Sequence, residues 1–198
     1  VEVQAPYGYV LDSTPVPFDV TEENSTQEGG ITLIKVDKPN MAQKGTISVE
    51  KTGEVFFGVN VFGEKDKDVI YQPVYTVKGL AGAVYEITAD EDIITPDGTL
   101  RYHKGDVVDT VTTDEDGFAK SKELYLGKYT VVEIKAPNGM VINNEKHSVE
   151  LTYAGQDVAV TETVTSFYNE RQKVKISLEK VLEQNDTCLL YTSDAADE

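Results

Sequence analysis

The chain has 198 residues, of which 39% are hydrophobic, and it carries a formal net charge of −17. Such acidity argues against a nucleic-acid-binding protein and against contact with anionic membranes, because phosphate-rich surfaces require basic patches. No stretch of the sequence is apolar enough to span a bilayer, so we expect no membrane insertion. The single cysteine, Cys188, excludes an internal disulfide framework.

The sequence predicts short strands separated by turns and no long amphipathic helix. In the first predicted strand, GTISVEK, the residues Ile47, Val49 and Lys51 share one face. The next two segments, VFFGVNVF and VIYQPVYTV, flank GEKDKD and predict an added hairpin. Further predicted strands are GAVYEIT, DVVDTVTT, KYTVVEI, HSVELTY and VAVTETVTSFY, with turns at PDG (96–98), DEDG (114–117) and APNG (136–139). This pattern is typical of an all-β sandwich.

Two stretches of sequence recur at a spacing of about 130 residues. The segment VEVQAPYGYV (1–10) matches VEIKAPNGMV (132–141) with an offset of 131 residues. The segment NMAQKGTISVEKTGE (40–54) matches NERQKVKISLEKVLE (169–183) with an offset of 129 residues. Each repeat unit is therefore the size of a domain and much longer than a solenoid repeat.

The repeat predicts a tandem organisation. We expect residues 1–41 to be the C-terminal part of a truncated domain, 42–170 a complete domain, and 171–187 the first strand of a further truncated domain. The segment 188–198 has no counterpart in the chain and resembles the translation of a transposon-type sequencing adapter. We interpret it as an artefact and exclude it from the fold.

Known metal, phosphate and nucleophile motifs are absent from the sequence, which contains no HExxH, P-loop, GxGxxG or CxxC pattern. The acidic segments TTDEDG and ADEDIITPDG lack the ligand spacing of an EF-hand loop. His103 and His147 lie in polar strand contexts, and we interpret both as surface residues. We therefore expect no metal and no cofactor.

Three polar residues occupy unusual positions on predicted strands. Lys51 and Glu133 each share a face with the apolar residues that precede them, and Asn169 ends the last strand on the face of Phe167. The first and last strands of a sandwich can lie side by side, so the three side chains could meet in the core. The structural alternative is that they are surface charges and a turn asparagine.

If the three side chains meet in the core, they allow a specific reaction. A buried lysine loses its proton easily and becomes a nucleophile. A buried glutamic acid can polarise the asparagine carboxamide and shuttle the proton. The amine then attacks the carboxamide, ammonia leaves, and an isopeptide bond remains. We expect this single-turnover self-cross-linking and no enzymatic activity on other substrates. Lys78 is a rival nucleophile to Lys51.

These residues resemble the collagen-adhesin B-type (CnaB), or SpaA-like pilin, domain of Gram-positive surface proteins. The segments GLAGAVYEI (79–87) and LGKYTVVEIKAPNGM (126–140) are similar to the family's strand and box motifs, and APYGY (5–9) matches the end of the box. Met140 replaces the usual tyrosine of the box, and the insertion before residue 79 is longer than is usual in the family.

The resemblance implies an Ig-like or prealbumin-like β-sandwich in tandem and an autocatalytic bond between Lys51 and Asn169, with Glu133 as the catalytic acid. The counterparts in the neighbouring units are Glu2, Asn40 and Lys180.

Two functions compete. The first is a structural stalk repeat of an adhesin or pilin-like protein at the bacterial cell surface, anchored to the cell wall. The second is a ligand-binding module that contacts a host extracellular-matrix protein or glycan through the 54–78 insertion and its aromatic residues Phe56, Phe57, Tyr71 and Tyr75. We favour sheet packing for those aromatics. In the stalk interpretation, the partners are neighbouring repeats of the same chain, and other domains bind any host ligand.

Overall fold

The computed structural model describes residues 1–63 and 69–180. The last residues of the predicted third unit (181–187), Cys188 and the segment 188–198 lie outside the described residues. The described part is all-β, as predicted. Its strands are β1 (Ser25–Glu28), β2 (Ile31–Ile34), β3 (Lys44–Phe62), β4 (Ile70–Gly79), β5 (Val84–Ala89), β6 (Ile93–Ile94), β7 (Leu100–Tyr102), β8 (Val107–Thr112), β9 (Phe118–Lys120), β10 (Leu124–Tyr125), β11 (Gly127–Lys135), β12 (Lys146–Leu151) and β13 (Val160–Asn169).

Two sheets form the sandwich. In the first sheet β3 lies between β10 and β13 and also pairs with β4 and β9, and in the second the order is β12-β11-β5-β8. Side chains from both sheets bury one apolar core. Its residues are Ile47, Val49, Ala83, Tyr85, Ile87, Ala89, Ile93, Val108, Val111, Ala119, Leu124, Tyr129, Val131, Val149, Leu151 and Phe167. The predicted sandwich is thus confirmed.

The long strand β3 organises the first sheet. From Ile47 to Gly53 alternate side chains are buried, because one face of this half lies on the core. The outer half pairs with β4 in register from Phe56↔Tyr75 to Phe62↔Ile70, with a bulge between Phe56 and Gly58. The added hairpin predicted from the sequence is therefore confirmed.

The first and last strands of the sandwich are neighbours. β13 runs parallel to β3, in register from Val160↔Lys44 to Asn169↔Gly53. This parallel pair brings the end of the last strand beside the middle of the first.

The expected sheet packing of the insertion's aromatics is wrong. Phe56, Phe57 and Tyr71 are 61%, 71% and 69% exposed. The outer half of β3 and β4 form a two-stranded ribbon to which the second sheet adds no strand, so these rings lack a facing layer. Tyr75 is half-buried beneath the Arg171 guanidinium, whose carbon lies 3.9 Å from the ring centre.

The ends of the described chain differ from each other. Residues 1–24 contain no strand, but the bridge Tyr9↔Ala42 connects them to the start of the sandwich, and β1 pairs with β2 in a separate hairpin. Residues 172–180 are exposed and form no strand. The sequence predicts a strand there, but the described residues provide no neighbouring strand for this segment to pair with.

Candidate functional site: a buried lysine, glutamate and asparagine

Lys51 continues the buried face of β3. It is 1% exposed, and its side chain has no accessible surface at all. Burial lowers the pKa of Lys51 because the ammonium loses its hydration, and the nearby Glu133 carboxylate partly offsets this effect. The side chain therefore becomes a neutral amine more readily than an exposed lysine does.

Glu133 enters the site from the facing sheet. It lies on the core face of β11 after Tyr129 and Val131 and is 1% exposed. Its register partner on β5 is Tyr85, whose hydroxyl oxygen lies 3.5 Å from Glu133 Oε1. The backbone N–H of Asn143 donates to Oε2 at 2.7 Å. Burial, and then the Glu133 charge, raise the pKa of Tyr85, which keeps the phenol as a neutral donor.

Asn169 completes the site from the end of β13 and is 1% exposed. Its Nδ2 donates to both oxygens of Glu133 at 2.9 Å. Its Oδ1 accepts a hydrogen bond from Lys51 Nζ. The carboxamide therefore lies between the amine and the acid.

The three groups satisfy one another in a site closed to water. Lys51 Nζ lies 3.3 Å from Glu133 Oε1, and neither side chain is accessible. A buried ion pair is weak evidence for stability, because desolvating two charges costs several kcal/mol per ion. The arrangement is better suited to proton transfer, since a short path joins the amine, the acid and the carboxamide nitrogen.

The structural alternative is wrong, since none of the three residues is a surface charge or an exposed turn asparagine. Lys78, the rival nucleophile, lies opposite Gly53 on β4 and its side chain is exposed. Only Lys51 of the two candidates contacts Asn169.

Sequence reasoning missed three contributors to the site. Tyr85 lies in the predicted strand GAVYEIT, where the sequence gives no sign of a site residue, yet it contacts the acid. Asn143 contributes through its backbone, which leaves no trace in the side-chain pattern. Gly53 has no side chain beside Asn169, and a Cβ there would lie 2.7 Å from the Asn169 carbonyl oxygen and 2.6 Å from Leu80 Cδ1.

The interpretation of His147 as a surface residue is also wrong. Its ring stacks on Phe167 with centroids 3.9 Å apart, and its Nδ1 lies 2.7 Å from Thr165 Oγ1. The side chain is 24% exposed, because it covers the outer edge of the core beside the site. His103 is exposed, as predicted.

A second glutamate–asparagine pair occurs in the N-terminal segment. Asn40 Nδ2 donates to Glu2 Oε2 at 2.7 Å. The backbone N–H of Asp12 donates to the same oxygen at 3.0 Å, as that of Asn143 does to Glu133. The predicted counterparts Glu2 and Asn40 are thus in contact. Lys180, the third predicted counterpart, lies in the exposed segment after β13, and its predicted partners belong to a further unit.

Neither a metal centre nor a membrane span appears in the described ranges. No group of three or more His, Cys, Asp or Glu side chains among residues 1–63 and 69–180 is arranged to hold a metal ion. No helix in the same ranges has the length and apolar character needed to cross a bilayer.

Part of the chain matches a protein-family model. Residues 73–165 match the family model described as the SpaA prealbumin-like fold domain. The matched range includes Glu133 and Tyr85 but neither Lys51 nor Asn169.

Two relatives have printed descriptions of surface proteins. The chain is 29% identical over 77 residues to the trypsin-resistant surface T6 protein of Streptococcus pyogenes, and the alignment covers 38% of this chain and 14% of the relative. It is 29% identical over 167 residues to the serine-aspartate repeat-containing protein F of Staphylococcus epidermidis, which covers 82% of this chain and 9% of the relative. The chain therefore spans only a small part of either relative.

Among solved structures, the chain is similar to two pilins. The minor pilin GBS52 of Streptococcus agalactiae is 18% identical with a TM-score of 0.41, covering 83% of this chain and 61% of the pilin. The major pilin SpaD of Corynebacterium diphtheriae is 23% identical with a TM-score of 0.41, covering 65% of this chain and 32% of the pilin.

Proposed function

We propose, since residues 73–165 match the SpaA prealbumin-like domain model, that this chain is a structural stalk segment stiffened by an isopeptide bond between Lys51 and Asn169. The single observation that supports this proposal is the contact of Lys51, Glu133 and Asn169 in the closed core. The function is mechanical, and the chemistry occurs once, within the chain itself.

The reaction begins with a proton transfer. The Lys51 ammonium passes a proton to the Glu133 carboxylate, whose Oε1 lies 3.3 Å from Lys51 Nζ. This transfer produces a neutral amine and a neutral acid. Lys51 Nζ attacks the Asn169 Cγ carbon, and a new C–N bond forms.

The second half of the reaction releases ammonia. Glu133 gives its proton to Asn169 Nδ2, which is 2.9 Å from both carboxylate oxygens. The Cγ–Nδ2 bond breaks and ammonia leaves. The attacking nitrogen returns one proton to Glu133, so the carboxyl group ends neutral and the products are an amide and one ammonia.

The bond would carry mechanical load. A pull applied between the first and last strands passes through the side chains of residues 51 and 169, so the rest of the sandwich bears little force. A string of such units would be nearly inextensible. The bond would also withstand reduction, unlike a disulfide.

We place the chain outside the cell, on the surface of a Gram-positive bacterium and anchored to the cell wall. The surface relatives and the family match support an extracellular surface location. The partners in this setting are neighbouring repeats of the chain, and host extracellular-matrix proteins or glycans would bind to other domains.

An intact mass measurement of the full chain tests the bond. The wild-type chain should be lighter than its calculated mass by one ammonia, and Glu133→Ala should have its full calculated mass because the proton path is lost. Tandem mass spectrometry should recover a branched peptide that joins Lys51 to Asn169. Full mass for a well-folded wild-type chain would remove the isopeptide proposal and leave a plain sandwich.

The exposed ribbon favours a second candidate function, a binding module. Phe57 and Tyr71 are 71% and 69% exposed on the ribbon of β3 and β4, and exposed apolar patches often mark interaction sites. Binding of the chain to immobilised matrix proteins and glycans should fall for Phe57→Ser if the ribbon holds a ligand, and should be unchanged for Val164→Ser on β13. Equal binding by both variants would exclude this candidate.

A further inference from the structure

The N-terminal segment is fastened to the far end of the sandwich. The loop 153–158, between β12 and β13, receives it. The backbone N–H of Leu11 donates to the Gln156 carbonyl at 2.9 Å, and that of Ala5 donates to Gln156 Oε1 at 2.9 Å. The rings of Tyr7 and Tyr153 lie 4.6 Å apart. Both ends of the 5–11 segment, and Tyr7 between them, therefore contact one loop of the complete sandwich.

A buried glutamine holds that loop in place. Gln43 lies just before β3 and is 1% exposed. Its Nε2 donates to the carbonyls of Gly155, at 2.8 Å, and Val158, and its Oε1 accepts from the Ala154 N–H at 2.8 Å. The carboxamide thus makes both donor bonds and an acceptor bond inside the protein, so a residue without the amide leaves buried backbone groups unpaired.

The turn of the N-terminal segment also fits closely against the sandwich. Gly8 has a φ of +84°, and a Cβ there would lie 2.6 Å from Pro96 Cγ. A glycine is therefore required both by the left-handed backbone and by the contact. The N-terminal segment therefore packs at a defined position against the 153–158 loop and Pro96.

The same turn recurs at the other end of the sandwich. The offsets that relate the sequence repeats map Pro6, Gly8, Tyr9 and Gln43 onto Pro137, Gly139, Met140 and Gln172. The backbone hydrogen bonds repeat as well. Tyr9 N–H to Pro6 O and Met140 N–H to Pro137 O are both 3.1 Å, and Gln43 N–H to Gly8 O and Gln172 N–H to Gly139 O are both 2.8 Å. Two copies of one local structure are present.

The two copies differ in what covers them. A Cβ on Gly139 would meet nothing within 4 Å, and Gln172 is exposed, whereas Gly8 and Gln43 are buried. The backbone N–H groups of Ala136 and Ile142, which correspond to Ala5 and Leu11, have no acceptor within the described residues. The second copy has the donors and the glutamine of the first without the loop that uses them.

We propose that the 5–11 turn, Gln43 and the 153–158 loop form a fixed joint between consecutive units, and that the exposed surface of Gly139 and Gln172, beside the buried Met140, is the matching half of the next joint. Its occupant is a following unit of the same type, because the 5–11 turn, which has the same local structure, is covered by a 153–158 loop. The joint turns a string of rigid units into a rigid rod.

The joint lies apart from the proposed cross-link, since Gln43 contacts the 154–158 backbone and not Lys51. Failure of the isopeptide bond would appear as a full intact mass. Failure of the joint would appear as fast amide exchange at residues 5–11. The two outcomes are therefore distinguishable in one preparation.

Hydrogen exchange of the full chain tests the covered joint. We expect protection of the Leu11 and Ala5 amides in the wild type, loss of that protection in Gln43→Ala, and no change in Gln172→Ala, which alters the exposed counterpart. Gln156→Ala provides a second test if Gln43→Ala misfolds, because it removes the side-chain acceptor of the Ala5 N–H. The Ala5 amide should then exchange fast, while Leu11, whose acceptor is the Gln156 backbone carbonyl, and Ala154 stay protected. Fast exchange of 5–11 in the wild type, or unchanged protection in both variants, would overturn the joint.

A chain of residues 1–170 followed by a second copy of 42–170 tests the uncovered half. This fusion places a glutamine at the position of Gln172 and a 153–158 loop in the following unit. The amides of Ala136 and Ile142 should become protected in the fusion and exchange rapidly in the original chain. Equally rapid exchange in both chains would show that the second surface does not receive a unit.

Discussion

Lys51 and Asn169 lie on neighbouring parallel strands, yet they are not register partners. Lys51 pairs with Phe167, and Asn169 pairs with Gly53. The two side chains therefore meet diagonally on the core face, and the Lys51 amine reaches the Asn169 carboxamide across a position that has no side chain. Phe167 closes the site beside Tyr85, with ring centroids 4.7 Å apart. This offset places the amine against the carboxamide and leaves the opposite side of the amide for Glu133.

Substitution of each of the two candidate lysines in turn should identify the nucleophile. Lys51→Met should keep its full calculated mass, because no other described lysine contacts Asn169. Lys78→Met should lose one ammonia like the wild type, because the Lys78 side chain is exposed on β4. Intact mass spectrometry of both chains gives the answer, and ammonia loss in Lys51→Met would contradict the assignment.

Loss of the cross-link should lower stability strongly. The bond would close a loop between residues 51 and 169, 118 positions apart. The chain-entropy treatment of disulfides assigns roughly 4–5 kcal/mol to a loop of that order. Asn169→Ala should therefore unfold at a much lower urea concentration than the wild type, with Lys51→Met showing a similar loss. Equal unfolding midpoints for wild type and Asn169→Ala would count against a bond in the wild type.

The unlinked protein should gain from Lys51 deprotonation as pH rises. Burial lowers the folded-state pKa of Lys51 below the ordinary value of 10.5, so the unfolded chain binds the proton more tightly. In Asn169→Ala the buried ammonium destabilises the fold by its full free-energy cost at pH values below the lowered folded pKa. The cost declines between that pKa and 10.5 and vanishes above 10.5. The matched control is Lys51→Met in the same background.

The measurement for this pH prediction is urea unfolding of both variants as pH rises from neutral to 10.5. The stability difference between them should shrink over that range. The control is needed because burial also raises the pKa of Tyr85, whose ionisation would destabilise both proteins alike. A difference that is constant with pH would show that Lys51 has the same pKa in both states.

A methyl group at Gly53 should disturb the site directly. The added Cβ would lie 2.7 Å from the Asn169 carbonyl oxygen, and it must push the strands or Leu80 aside. We expect Gly53→Ala to destabilise the fold by about 1–3 kcal/mol and to leave part of the chain without the cross-link. Gly58→Ala on the ribbon is the control, since nothing lies within 4 Å of its Cβ. Complete ammonia loss and full stability in Gly53→Ala would contradict the close fit.

Substitutions on the ribbon should leave the fold intact. Phe57 is 71% exposed, so Phe57→Ser should change the free energy of unfolding by no more than about 0.5 kcal/mol. Phe167, by contrast, is 3% exposed in the core, and Phe167→Ala should cost about 3–5 kcal/mol. Thermal unfolding of both variants compares the two sites. A large loss in Phe57→Ser would show that the ribbon packs on the sandwich after all.

The sequence predicted the longer strands well, because alternation over six or more residues reports a face that lies on the core. It missed β6, β7, β9 and β10, which have two or three residues each and are too short for a periodic pattern. The β1–β2 hairpin was missed as well, since its residues are mostly exposed and carry little hydrophobic alternation.

The residues of the site also divide into those that the sequence predicted and those that it missed. Lys51, Glu133 and Asn169 were identified because each is a polar residue on an apolar face of a strand. Tyr85 had no comparable signal, since an aromatic residue in a core strand is ordinary. The backbone donor at Asn143 leaves no side-chain pattern at all.

The sequence alone determined the repeat, the strand faces and the three polar residues that interrupt them, because these are local patterns of polarity along the chain. Only the tertiary structure decided that β13 lies parallel to β3, that Lys51 rather than Lys78 contacts Asn169, and that the ribbon's aromatics are exposed. These outcomes depend on which strands pair and on where the facing sheet ends. Both depend on contacts between residues distant in sequence, more than 100 positions apart in the β3–β13 pairing, which no local pattern records.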